Sequence, residues 1–224
     1  MADFPEVDLS WLPSSPPLTI FLVFDVNGLL CDSDSGASGK IRWRENLNGF
    51  LRYCFAQFEV VFWSACGGKK LERYKKELQE LTKVILRSDR LFGQDLCECS
   101  QHRDPLNPEK PIFLKPLSKF FAQCPDANAS NTVLIDDSPD KSCMNDPRNA
   151  IHPFTYRSSD PNAPPGLMAM KRWLINLRGW TGDVREYVER NRPAWSYPPV
   201  TADRVRLLLE GSKAPQQTAA VMTL

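Results

Sequence analysis

The sequence carries no excess charge of either sign, no long apolar run and no paired cysteine pattern. With 28 Lys and Arg against 27 Asp and Glu, its net charge is +1. That gives no electrostatic reason to expect nucleic acid or a membrane surface as a partner. No apolar stretch approaches the length that crosses a bilayer. The N-terminal MADFPEVDLSWLPSSPP is acidic and has no early arginine. It lacks the basic-then-apolar form of a secretory signal, so neither export nor a mitochondrial transit peptide is expected. Seven cysteines, an odd number scattered along the chain, suit a reducing compartment better than a disulfide framework. The sequon Asn128-Ala129-Ser130 then carries no glycan. Cytosol or nucleus is the expected location, and a monomer the expected state.

What is present suits one α/β domain with flanking segments. The chain has 224 residues, 42% of them hydrophobic, enough for a sizeable core. Residues 1–18 hold four prolines and read as an extended leader, with Trp11 and Leu12 draped over the domain. The domain spans 19–192. Residues 193–224 read as a peripheral tail, with an isolated amphipathic helix at Ala202 to Glu210 and disorder beyond it.

Ile20 to Phe24, Phe58 to Trp63 and Thr132 to Ile135 are apolar runs without alternation, the mark of strands buried on both faces. Ile112-Phe113-Leu114 and Ile151 to Tyr156 read as further short strands. Helical spacing joins Leu47, Phe50, Leu51, Cys54 and Phe55, and again Leu71, Tyr74, Leu78, Leu81 and Ile85. Leu117 to Phe121 starts another helix, and Pro164-Pro165-Gly166 opens one from about Leu167 to Leu177. Strands alternating with helices at this spacing predict a parallel sheet flanked by helices. Cys31 to Gly39 reads as a loop, and Arg87 to Lys110 as an insertion or loop region. Ile41 to Arg44 alternates as a strand whose Arg42 and Arg44 face solvent, and the lysines at 69, 70, 75, 76 and 83 are solvation.

The buried strands end in Asp25, Ser64, Asp136-Asp137 and Lys115. Strand ends of a parallel sheet gather on one edge, where such folds place their chemistry. Carboxylates so gathered repel unless a cation sits among them, and an oxygen-only set suits Mg²⁺. A lysine and a serine beside them suit the oxygens of a phosphoryl group. Cys97, Cys99 and His102 are three ligand types in a loop with no partner pair, so no zinc site is expected. Trp173, Trp180 and Trp195 read as packing.

Order, spacing and residue type resemble the haloacid dehalogenase superfamily. Within it they resemble the RNA polymerase II C-terminal-domain phosphatases, the NLI-interacting factor family, from about Thr19 to Val188. Phe62 to Cys66 (FWSAC) resembles the second motif. Lys115-Pro116-Leu117-Ser118 resembles the third, with proline in the place of an aspartate. Val133 to Pro139 (VLIDDSP) is the closest match, and Asp183-Val184-Arg185 resembles the closing signature. The resemblance implies a Rossmann-like haloacid dehalogenase fold with a small insertion between the second and third motifs.

It also implies that Asp25 is the nucleophile that accepts phosphorus. Mg²⁺ would be held by the Asp25 carboxylate, the Asn27 backbone carbonyl and Asp136. Asp137 would contact a metal-bound water or Lys115. Lys115 would offset charge, and Ser64 would donate to a phosphate oxygen.

The first motif departs from the family's Asp-x-Asp-x-Thr. Here it is Asp25-Val26-Asn27-Gly28-Leu29. Asn27 replaces the general acid and base and has no proton to exchange at neutral pH. Leu29 removes a hydroxyl expected to tie down the loop. The expectation is a phosphatase-fold protein that binds Mg²⁺ and a phosphorylated protein segment or partner, with phosphoserine or phosphothreonine hydrolysis weak or lost. The alternative is an active Mg²⁺-dependent serine/threonine phosphatase working through an Asp25 aspartyl phosphate, with Asp32 or Asp34 as a substitute acid. The dipeptide Asn27-Gly28 also suggests deamidation as a route back to an aspartate.

Overall fold

The computed structural model describes residues 18–34, 39–104, 107–160 and 166–210, apart from the side chains of 104, 107 and 108. The expected leader and the segment after Glu210 lie outside the described residues. In chain order the elements are β1 (Phe21–Phe24), β2 (Cys31–Ser33), β3 (Ile41–Trp43), α1 (Leu47–Gln57), β4 (Glu59–Trp63) and α2 (Gly68–Thr82). Then come β5 (Leu91–Phe92), β6 (Glu98–Asp104), β7 (Asn107–Leu114), α3 (Leu117–Gln123), β8 (Thr132–Ile135) and β9 (Ala150–Pro153). The last are α4 (Leu167–Arg178), α5 (Val184–Arg190), β10 (Ser196–Tyr197) and α6 (Ala202–Glu210).

The central sheet has the order β10-β9-β8-β1-β4-β5. All pairs are parallel except β10 with β9. The three apolar runs occupy its middle, where both faces are covered. The pleat sends Leu22, Phe24, Val60, Phe62, Val133 and Ile135 into a core shared with α1, α2, α4 and α5. The alternate residues Phe21, Val23, Val61, Trp63 and Leu134 face α3 through Leu117 and Phe120. Each such side chain, fully buried, contributes about 1.5–3 kcal/mol relative to exposure. Phe24 pairs with Phe62 on one side and Ile135 on the other, so the chain leaves the sheet at one edge from all three strands.

Several expectations change. Ile85 does not continue α2: Lys83 adopts φ 59°, its N–H closes on the Gln79 carbonyl at 2.9 Å, and Ile85 is 86% exposed. Cys31–Ser33 is a strand, paired antiparallel with β3. Arg44 is not solvated. It is 7% exposed, donates to the Leu29 carbonyl at 3.1 Å and lies over the Tyr156 ring at 4.8 Å. The described part of Arg87 to Lys110 is an insertion with strands of its own, contributing β5 to the central sheet and β6 with the start of β7 to a separate antiparallel pair. The strand before Lys115 is therefore the second strand of that pair and not a member of the parallel sheet.

Among the described residues after Pro193, β10 and α6 pack on the domain. β10 extends the sheet beside β9. The helix expected at Ala202 to Glu210 forms but is not isolated, because Leu208 is buried against Ile112, Leu114 and Cys143. Arg204 anchors its start on Asp140. Leu208→Ala should cost about 2–5 kcal/mol in urea denaturation, whereas Leu207→Ala, at a half-exposed position, should stay within about 0.5 kcal/mol.

Candidate active site

Asp25 and Asp136 follow directly on β1 and β8. The Asp25 N–H donates to the Ile135 carbonyl at 2.9 Å and the Asp136 N–H to the Ile151 carbonyl at 3.2 Å, so the ladder continues until both carboxylates are side by side. Both are buried. Lys115 enters from the end of β7 with no exposed surface, and its Nζ lies 2.6 Å from Asp25 Oδ1 and 2.6 Å from Asp136 Oδ2.

Asn145, which the sequence reading passed over, sets this lysine's backbone. Its Nδ2 donates to the Lys115 carbonyl at 2.9 Å and its Oδ1 accepts from Leu117 N–H at 2.7 Å. Pro116 has no side-chain acceptor to cap α3 where the family has an aspartate, and Asn145 supplies one from elsewhere in the chain.

A second cation was also missed. Lys141 sits on the 3₁₀ turn Pro139–Ser142. Its Nζ is 3.2 Å from Asp25 Oδ2, 3.0 Å from Asp136 Oδ1 and 3.8 Å from Asp137 Oδ1. The sequence signal was available: a lysine five residues after Asp136, just past a proline-started turn, returns toward the strand end. Burial works against the Lys141 charge, but Asp136, Asp25 and Asp137 outweigh it and raise its pKa well above the usual range. Burial would raise Asp136, yet Lys115 and Lys141 hold it below the usual carboxylate range. Burial pushes Asp137 up to about 7, against the pull of Lys141 and with Asp136 and Asp25 adding.

Asp137 packs against Gly28. Gly28 has φ +86°, and a Cβ there would lie 2.3 Å from Asp137 Oδ2, so only glycine fits. Asp137 Oδ1 is buried without a hydrogen-bond partner.

Asn27 ties its side chain to the end of β2. Its Oδ1 accepts from Ser33 N–H at 2.8 Å and from Ser33 Oγ at 2.7 Å, and Ser33 Oγ lies 2.7 Å from the Tyr74 hydroxyl. The Gly28 N–H that would attack the amide in deamidation donates to the Cys31 carbonyl at 2.7 Å. Leu29 does not loosen the loop. It is buried in the core, its carbonyl is held by Arg44, and Tyr156 N–H donates to the Gly28 carbonyl at 2.7 Å.

Ser64 is buried at the end of β4, and its Oγ is engaged within its own turn, 3.2 Å from Cys66 Sγ and 3.3 Å from Cys66 N. Asp32 accepts from Ser158 and Asp34 pairs with Arg42; neither joins the cluster. Cys97 and Cys99 bond to nearby carbonyls. Among the described residues, the three metal-ligating side chains that converge within 4.8 Å are Asp25, Asp136 and Asp137. They offer oxygen alone, and Asp137 has an oxygen to spare, so the donor set fits a hard divalent ion in kind.

A groove of about 600 Å³ opens beside the cluster, lined by Asn27, Asp137, Lys141, Tyr197, Pro198 and Arg204 among others. Part of its lining therefore comes from the segment expected to be peripheral.

Residues 20–185 match the model of the NLI interacting factor-like phosphatases, and the chain belongs to that family. It is 27% identical over 161 residues to an Arabidopsis thaliana ubiquitin-like domain-containing CTD phosphatase, covering 70% of this chain and 46% of that protein. The chain thus spans about half the length of that curated relative. Two solved structures align over 87% of the chain, each with a TM-score of 0.42. One is Fcp1, an essential RNA polymerase II CTD phosphatase, at 16% identity and covering 50% of that chain. The other is fission yeast Fcp1 bound to beryllium fluoride, at 15% identity and covering 62%.

Two consequences are measurable. Lys115→Met leaves two buried carboxylates with Lys141 as their one remaining shared cation and should lower stability by about 3–5 kcal/mol in urea denaturation. His152 is buried, with Nδ1 2.9 Å from the Asp136 carbonyl and Nε2 3.2 Å from Ser142 Oγ, and burial lowers its pKa from the ordinary 6.5. The unfolded chain therefore takes up a proton that the folded one resists, and stability is lost as pH falls below about 6.5. Asp137, raised to about 7, works in the opposite sense, its folded form keeping a proton that the unfolded form releases. His152→Gln isolates the first effect: between about pH 7.5 and about pH 5.5 the variant should lose less stability than the parent protein.

Proposed function

We propose that the chain recognises a phosphorylated protein segment at the Asp25 site and hydrolyses it slowly. Asp25 is the group for attack on phosphorus, forming an oxygen–phosphorus bond as the bond to the serine or threonine oxygen breaks. Asp25, the Asn27 carbonyl and Asp136 would hold Mg²⁺, which supplies charge to the phosphoryl oxygens when bound. Lys115 holds the Asp25 carboxylate in place, and Ser64, with Oγ at the next strand end, is the hydroxyl for a phosphoryl oxygen. The departing alkoxide must gain a proton, and the water that later attacks the acyl phosphate must lose one.

The observation that carries the reading is the fixed amide of Asn27. Its oxygen is engaged by both donors of Ser33, and an amide neither gives nor takes a proton at neutral pH. Neither Asp32 nor Asp34 is placed to substitute. The groove beside the cluster, lined in part by Asn27, Tyr197 and Pro198, suits an extended segment better than a compact metabolite. Seven unpaired cysteines and the near-neutral charge support action in the cytosol or nucleus on protein, with no role for nucleic acid or membrane. No described helix is long and apolar enough to cross a membrane.

Asn27→Asp tests the reading, because an aspartate can accept the same two bonds from Ser33. Phosphopeptide turnover with Mg²⁺ should rise about 10²- to 10⁴-fold. An aryl phosphate, whose leaving group needs little protonation, should gain less. Rapid phosphopeptide turnover by the parent protein, lost in Asp25→Asn, would instead establish an active phosphatase.

A further inference from the structure

Lys141 is aimed into the carboxylate cluster by its backbone. Its carbonyl accepts from Lys115 N–H at 2.7 Å, and its N–H donates to the Ser138 carbonyl at 3.2 Å. The neighbouring Asp140 faces the other way, onto Arg204. Every oxygen of Asp25 and Asp136 is thereby engaged by an ammonium: one of each by Lys115 and the other of each by Lys141. Lys141 alone also approaches Asp137. The two lysines differ in freedom. Lys115 has no exposed surface, whereas the Lys141 side chain is 18% exposed at the groove.

We propose that Lys141 is the resident counter-cation of this cluster, occupying the position a divalent ion would take, so that metal enters only in exchange for the Lys141 side chain. This rests on the reading of the cluster as the phosphoryl site and deepens it. An ion held by Asp25 and Asp136 would need oxygens that Lys141 already engages, and two positive centres a few ångströms apart repel strongly in a poorly hydrated site. With both lysines in place the charges of Asp25 and Asp136 are compensated, so the pair keeps its geometry without metal. Exchange is feasible because Lys141, unlike Lys115, borders open space into which its side chain can turn.

Mn²⁺ binding to the full chain, followed by electron paramagnetic resonance, reads this at equilibrium and without turnover. Lys141→Met, which keeps the length and removes the charge, should bind Mn²⁺ at least about ten-fold more tightly than the parent protein. Chelator should leave the thermal midpoint of the parent unchanged while lowering that of the variant, with recovery on adding Mg²⁺. Equal Mn²⁺ affinity in parent and variant would overturn the proposal. Lys141→Gln serves the same comparison where the methionine variant does not fold. Fast phosphopeptide turnover by the parent would sink the functional reading yet leave this titration to be decided by its own result.

Discussion

A lysine with no exposed surface, 2.6 Å from each of two buried aspartates, is the constraint around which the chain is built. Parallel strands in register deliver Asp25 and Asp136 to adjacent positions, where two carboxylates out of water repel. The compensating charge cannot come from the sheet itself, whose strand ends are already occupied. It arrives from the β6–β7 pair, clamped by Asn145. Such a buried ion set adds little net stability over an apolar substitute, because desolvation offsets most of the attraction. Its contribution is to fix which groups face each other, while the two apolar layers on the sheet supply the stability.

The first-motif loop shows chemistry and architecture coming apart. The family's acid and hydroxyl are both absent, yet the loop is fastened at every residue from Asn27 to Leu29. Asn27 bonds into β2, Gly28 closes onto Cys31 and receives Tyr156, and Leu29 fills the core while Arg44 takes its carbonyl. A loop this well held preserves the position of Asp25 although two of the residues beside it depart from the family's motif.

The parts legible in the sequence were those whose signal is local and periodic. The runs around Val23, Val61 and Leu134 announced the central strands, and the three- and four-residue spacing of Leu47 to Cys54 announced α1. Order and motif singled out Asp25, Asp136 and Lys115, whose side chains the structure brings within hydrogen-bond reach. Lys115 was nevertheless assigned to the wrong kind of strand, because three apolar residues look alike in a hairpin and in a parallel sheet. β10 has two residues and α5 two turns, too short for a period to show, and β10 exists only through pairing with β9. Lys141 and Asn145 lie in turns where lysine and asparagine are ordinary surface residues. Their roles come from a distant contact that composition does not encode. Arg44 was misjudged for the same reason, since its partners, Leu29 and Tyr156, lie 15 and 112 residues away in sequence.

The short strand β10 also closes the sheet. Tyr197 pairs with His152, its ring meets Phe154 at 4.8 Å, and Phe154 N–H donates to the Trp195 carbonyl at 3.3 Å. Without those few residues β9 becomes the outer strand, with a row of N–H and C=O groups open to any extended chain that approaches. Two copies then have matching edges, and edge-to-edge pairing is the usual route from a parallel sheet to self-association. Two residues of antiparallel strand thus guard solubility as well as shape the groove.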